Sequence, residues 1–346
     1  MKQTFKYCLV DPGTWKDVRE LSMVTSCSIS RDDSSDTRGS ATIDLSESIG
    51  ECYIRTYMVV TQDGITEQIP LGTHLVQTPS LNFDGRRRNI SADAYTPLVE
   101  LSENPTPLGY SLLKGDNIMD DAYRICREQC RAPVVKAEAS DTLFYDFVSN
   151  SSDTYLTFCS DLIANAEFHF DVDEMGRVLF AKDQDAASLQ PVWTYDDGNS
   201  SILQPSISMD RDLYGIPNVV EVVYTKSDKY YYARVVNDDS NSPISTVNRG
   251  RLITSRITDP ELAGDPTEEE IQLYAENALR KLSSLECTIS YTHGYCPVRV
   301  GDCVRLNYER AGLTDIKAKV TSQTIKCQTG CMVTEKATFT TKLWEG

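Results

Sequence analysis

The chain has 346 residues, with 51 Asp and Glu against 34 Lys and Arg for a net charge of −17, and 40% of its residues are apolar. This length calls for two or three cores, because single cores stop growing at about 250–300 residues. The acidic balance argues against an open basic face for duplex DNA, whose phosphates need clustered Lys and Arg.

In chain order, Phe5 to Val10 and Ser26 to Ser30 alternate as strands do, Arg31 to Gly39 reads as a polar turn, and Ser40 to Leu45 as a third strand. Cys52–Gln62 and Gln68–Thr78 are longer β-rich runs on either side of Asp63-Gly64, a hairpin signal, and Arg87–Ala94 closes the set. Short strands with no helix among them predict a small barrel or sandwich over residues 1–108. Within it, Arg86-Arg87-Arg88 is the one basic cluster and reads as a solvated hairpin tip.

The pattern changes after Pro107. Asp116 is placed to cap a helix carrying Ile118, Ala122, Ile125, Cys126 and Gln129 at helical spacing, and a second helix starts near Asp153 with Leu156, Cys159, Leu162 and Ile163 as its buried stripe. Leu143–Val148 between them is strand-like. Ala166–Val172 and Arg177–Phe180 then flank Asp173-Glu174-Met175-Gly176, a tight hairpin. Residues 109–190 are thus expected to be a small α+β domain.

Residues 191–346 return to strands, with Ser206–Met209, Val219–Tyr224 and Tyr230–Val236 among them. One additional helix, 267–285, is predicted from Thr267 as cap, acids at Glu268–Glu270, and an apolar stripe from Ile271 to Leu282. It leads into Cys287–Leu343, where apolar residues at every second position predict an antiparallel meander of about four strands. Pro297, Gly301 and Asp302 mark a structural turn in this stretch, since Pro cannot donate to a ladder, Gly permits positive φ and Asp can bond its own backbone.

No catalytic, cofactor-binding or metal-ligating residue emerges. The run Asp171–Gly176 begins like a calcium loop, yet Met175 and Lys182 stand where oxygen ligands are needed. Cys126 and Cys130, and Cys327 and Cys331, lack the two-residue gap of zinc or redox motifs, and the odd total of eleven cysteines fits free structural thiols. There are three histidines, His74, His169 and His293, so nucleophile–base pairs are scarce. No nucleophile elbow, P-loop or dinucleotide fingerprint occurs. Abundant carboxylates leave a carbohydrate-active or peptidoglycan-degrading enzyme as the alternative, although Tyr230-Tyr231-Tyr232 lies along one strand and so cannot line up its rings on one face. No apolar run spans a bilayer, and Met1–Lys6 lacks the apolar stretch of a secretion signal, so synthesis in the cytoplasm is expected.

Four stretches in order resemble a known family. They are Ser26–Arg31 with Gly39–Leu45 and Pro70–Val76; Ser152–Ile163 running into Phe168–Gly176; Pro217–Val219 ahead of Asp239–Pro243 and Asn248–Arg251; and Pro297–Leu306. Together they are similar to the baseplate or tail-tip hub proteins of tailed bacteriophages, the family of the N-terminal part of siphophage tail-associated lysins, the myophage central hub and type VI secretion spike proteins. The resemblance implies a mainly β fold with an α+β insert, in which 1–108 and 191–346 are tube-like β-barrel domains. It implies a homotrimer whose six similar units form a ring, at the tail tip or baseplate of a virion. Partners would be a distal tail protein or tail tube ring, a tape-measure protein and tip, spike or fibre proteins, with DNA passing through unbound and no cofactor. Lytic activity would belong to another polypeptide.

Overall fold

The computed structural model describes residues 2–83, 85, 88–184, 188–198, 201–226, 229–260 and 266–345. The chain is mainly β, with an α+β insertion and one further long helix. Arg86 and Arg87 of the expected basic tip lie outside the described residues, as does the side chain of Arg88. Two compact units divide the chain: 1–206 with 291–336, and 207–290 with 337–346.

The first unit opens with β1 (Lys2–Asp11), β2 (Lys16–Glu20), β3 (Val24–Asp32), β4 (Gly39–Leu45), β5 (Cys52–Gln62), β6 (Ile65–Phe83) and β7 (Arg88–Tyr95). The ladder runs β3-β4-β7-β6-β5-β1-β2, every pair antiparallel. Alternation builds it: along β4 the inward positions are Gly39, Ala41, Ile43 and Leu45, all buried. Asp63 and Gly64 both take positive φ between β5 and β6, as the Asp-Gly hairpin signal requires. The short β2 escaped sequence reading because all five of its residues are exposed and no apolar alternation marks it.

Next come α1 (Val99–Ser102), β8 (Ser111–Leu112), α2 (Ile118–Gln129), β9 (Phe147–Val148), α3 (Tyr155–Ala164), β10 (Phe168–Val172) and β11 (Val178–Lys182). Asn117, not Asp116, caps α2, its side chain accepting from Asp120 N at 2.9 Å; Asp116 instead holds Leu113 N at 2.9 Å in the preceding turn. Thr154 and Thr157 form a reciprocal cap on α3. Leu156, Phe158, Cys159, Leu162 and Ile163 pack against Ile118, Ala122, Ile125 and Cys126, and Phe170 and Phe180 of the β10–β11 hairpin join the same core.

The chain continues through β12 (Trp193–Asp196), β13 (Leu203–Arg211), β14 (Val219–Lys226), β15 (Lys229–Val236), α4 (Thr246–Arg249), β16 (Thr254–Thr258), α5 (Glu268–Leu282), β17 (Ser284–Gly294), β18 (Cys303–Tyr308), β19 (Leu313–Lys326) and β20 (Met332–Lys342). In the first unit β18 pairs antiparallel with β19 and parallel with β12, while β19 pairs antiparallel with β3 from Ser322↔Asp32 to Lys326↔Ser28. The C-terminal strands therefore extend the N-terminal sheet, and Ile325, Cys327, Cys331 and Val333 share a core with Ile29, Ile43 and Ile54. The predicted meander is modified: β17 neighbours β13 and β20 rather than β18, so the chain crosses over between β17 and β18. Within that connection Cys296 and Val298 are buried. Among the described residues the strand order ends at β13 and β2.

In the second unit β14 lies between β15 (antiparallel) and β16 (parallel). Helix α5 covers one face, with Ile271, Ala275 and Leu279 on Val220, Val222, Tyr224, Ala233 and Val235. Its cap is the predicted one: Thr267 Oγ1 accepts from Glu270 N and Glu270 Oε2 from Thr267 N.

Candidate functional site

The predicted turn residues sit in the β17–β18 connection. Pro297 is exposed at its start, Gly301 has φ +93° and Asp302 Oδ2 accepts from Arg299 N at 2.8 Å. Gly301 N donates to Val320 O and Val320 N to Asp302 O, which ties the turn to β19. These bonds hold Arg299 in place, a residue sequence reading passed over.

Arg299 reaches the β10–β11 hairpin. Its Nη2 lies 3.0 Å from Asp171 Oδ2 and donates to Val172 O at 3.0 Å, and its Nε stands 3.1 Å from Glu174 Oε1 at an angle too poor for a hydrogen bond. Arg31 of β3 brings Nη2 within 3.1 Å of the same Glu174 oxygen and donates to Leu71 O at 2.7 Å. The hairpin tip is held from its other side as well. Trp15 Nε1 and Arg55 Nη2 both donate to Met175 O, at 2.7 and 3.0 Å, and Thr73 Oγ1 donates to Glu174 O at 3.1 Å. Gly176 sits so close to β6 that a Cβ there would lie 2.7 Å from Thr73 Cβ. The run that begins like a calcium loop is thus a docking tip, and Asp171, Asp173 and Glu174 each pair with an arginine. Arg55 is itself buried to 1% exposure and also donates to Thr73 Oγ1, Asp17 Oδ1 and Trp15 O.

Behind this tip lies a closed polar cluster. Glu335 of β20 accepts from Gln323 Nε2 at 2.6 Å, Tyr291 OH at 2.8 Å and Tyr195 OH at 3.2 Å, and His293 Nε2 stands 3.2 Å away. Those four groups fill the carboxylate's acceptor capacity. His293 Nδ1 faces Gly294 O at 2.6 Å and its Nε2 also lies 3.1 Å from Tyr195 OH, so acceptors beside both nitrogens favour the protonated ring. Burial alone would lower its pKa, but contacts with Cys296 and the Glu335 carboxylate outweigh that and push it up to about 9. Burial likewise opposes ionisation of Glu335, yet hydrogen bonds from His293, Gln323 and Tyr291 hold its pKa below the ordinary range. Gln323 links the two layers, donating also to Val298 O at 2.8 Å and accepting from Arg31 Nη1 at 3.3 Å.

Neither His293 nor Glu335 has exposed side-chain surface, so no substrate reaches this pair as it stands. The other two histidines are far from such chemistry. Burial, with a contribution from Arg31, pushes the His74 pKa down to about 3, and His169 pairs with Asp183 at the surface. A cleft of about 350 Å³ beside the turn has Arg31, Asp171, Arg299 and Asp302 in its lining; Arg299 pairs with Asp171, Arg31 with Glu174, and Asp302 accepts from Arg299 N. Sequence reading missed the cluster, although its signal was present: extending the Cys287, Ile289, Tyr291 alternation by one step puts His293 on the inward face.

With the fold in hand, comparison with solved structures is direct. The chain superposes on a tail protein from Neisseria meningitidis MC58 with TM-score 0.61 and 13% identity, covering 98% of this chain and 97% of that one. The 43 kDa tail protein of prophage MuSo2 from Shewanella oneidensis gives TM-score 0.63 and 11% identity over 97% and 98%. A chain of the Francisella PdpA–VgrG complex gives 0.56 and 8% identity, covering 98% of this chain and 58% of that one. No protein-family model and no curated protein sequence matches. The fold is that of phage tail proteins, as the sequence resemblance implied.

Proposed function

We propose that the chain is a non-enzymatic structural hub of a phage tail tip or baseplate. Three copies form a ring in which the β-rich regions 1–108 and 191–346 act as tube-wall units, giving six similar units where a threefold hub meets a sixfold tail tube. The ring joins the tube and tape-measure protein to tip, spike or fibre proteins, and DNA passes through it unbound. The observation that carries this reading is the end-to-end match with two phage tail proteins, in which essentially the whole length of both chains is shared. Two further features support it. The net charge of −17 suits a wall along which phosphate slides, and the polar cluster around Glu335 is turned inward with its donors and acceptors used on each other. The test is the mass of the purified chain by light scattering, alone and with a distal tail protein, together with particle images of the mixture. Threefold rings support the hub; a lone monomer that ignores the tail protein refutes it.

A further inference from the structure

The second unit contains an unused sheet edge beside a groove. Asn237 N bonds Asn218 O at 2.8 Å, which fixes the alternation of the β14–β15 ladder. In an antiparallel pair hydrogen-bonded and non-bonded positions alternate. Ala233 and Tyr231 therefore turn their backbone groups to β14, and Tyr230, Tyr232 and Arg234 turn theirs to the outer side, where no strand pairs among the described residues. A groove of about 510 Å³ runs along this edge between β15 and α5. Its apolar lining is Tyr231, Ala233, Ile271 and the half-exposed Leu273 at 54%, while Tyr230 and Tyr232 border it from the strand edge with side chains alternating to the opposite face, at 66% and 52% exposure. Its charged lining is Glu268, Glu269 and Glu276, with no Lys or Arg among the residues that form it. Glu268 and Glu269 also favour the positive terminus of α5, yet neither has an ion-pair partner among the described residues.

We infer that the β15 edge takes up an extended segment of a partner protein, adding it as a fourth strand, and that the segment carries Lys or Arg interspersed with apolar residues on its α5-facing side. Backbone bonds to Tyr230, Tyr232 and Arg234 supply affinity, and the acidic flank of α5 supplies specificity. A second copy of the same edge is disfavoured as occupant, because symmetric pairing brings two rows of glutamates together.

The test uses the full chain and labelled peptides of about eight residues, Thr alternating with Lys or Val, against the same peptides with Glu in place of Lys, read by fluorescence anisotropy. The Lys peptide binds, the Glu peptide does not, and Tyr232→Pro weakens binding on the order of tenfold by removing one outward N–H. The β14 ladder does not use that N–H, so Tyr232→Pro lowers the thermal midpoint no more than Tyr232→Ala, the control that loses the same Tyr232–Glu221 side-chain contact. In the wild type the peptide slows hydrogen exchange at the amides of Tyr230, Tyr232 and Arg234, a readout that stands even where the variant misfolds. Glu268→Lys with Glu269→Lys also weakens the Lys peptide. No binding of the Lys peptide, equal binding of both peptides, or exchange rates unchanged on β15 overturns the inference. So does self-association of the chain that Tyr232→Pro abolishes, since the occupant is then a second copy.

Discussion

His293 Nε2 stands 3.2 Å from Glu335 Oε1 with both side chains wholly buried, an imidazole and a carboxyl group taken out of water together. Such a pair survives because every remaining polar atom finds a partner: Tyr291, Tyr195 and Gln323 on the carboxylate, Gly294 O on the ring. Replacing both ions by apolar groups can be neutral, whereas removing one leaves the other uncompensated.

Glu335→Ala is accordingly expected to cost about 3–5 kcal/mol, by stranding the His293 charge and orphaning the Tyr291 hydroxyl. Pairing it with His293→Leu costs less than the sum of the single changes, because the charges act as one unit. Thermal midpoints of the two single variants and the double variant measure this; strict additivity would mean that the two groups do not interact.

The pair also sets a pH dependence. His293 has its folded pKa raised from 6.5 to about 9, so its stabilising contribution is complete below about 6.5 and fades as pH rises through about 9. At roughly 1.4 kcal/mol per pKa unit the contribution is on the order of 3 kcal/mol. Glu335 acts oppositely: its pKa is depressed, so its contribution holds above the ordinary carboxylate range and is lost as pH falls through the folded value. The wild-type midpoint should fall between pH 6.5 and 9, and His293→Gln should flatten that slope. A parallel slope in the variant assigns the effect elsewhere.

Two glycines with positive φ should respond differently. At Gly301, φ is +93° and a Cβ meets nothing within 4 Å, so Gly301→Val brings backbone strain alone, about 1–3 kcal/mol. At Gly176, φ is +75° and a Cβ falls 2.7 Å from Thr73 Cβ. Gly176→Ala adds overlap to strain and should push the hairpin tip off β6. Comparing the two midpoints decides it; an equal or smaller loss at Gly176 would show that the tip is not tightly docked.

Arg299→Ala removes the contacts to Asp171, Val172 and Glu174 in one step. Hydrogen exchange should rise in the 171–176 tip and its flanking strands, while amides of α2 and α3 stay protected by their own core. Arg299→Lys restores less than half of the protection, because one ammonium cannot reach three acceptors in a planar fork. Unchanged exchange in Arg299→Ala would leave Arg31, Arg55 and Trp15 as sufficient anchors.

Much of this architecture was legible in the residues themselves. Asp63-Gly64, the Thr267–Glu270 cap and the Leu156–Ile163 stripe each declare a local structure that the fold keeps. Local signals do not reveal who pairs with whom. Nothing near Ser322–Lys326 announces that β19 will lie on Ser28–Asp32, because that partnership joins stretches almost 300 residues apart and is decided by shared burial of Ile29 and Ile325. The partners in the Arg299–Glu174 and His293–Glu335 contacts were hidden for the same reason: spacing can turn His293 inward but does not say what it meets. Exposed β2 and short β12 lack the apolar alternation on which strand recognition relies.

Particle images of the purified chain bound to its tail tube partner test the central claim most directly. The account predicts three copies around one axis, with regions 1–108 and 191–346 alternating as six comparable wall units about a central passage. Single copies attached to the tube, or a ring built from any other number of chains, would contradict it.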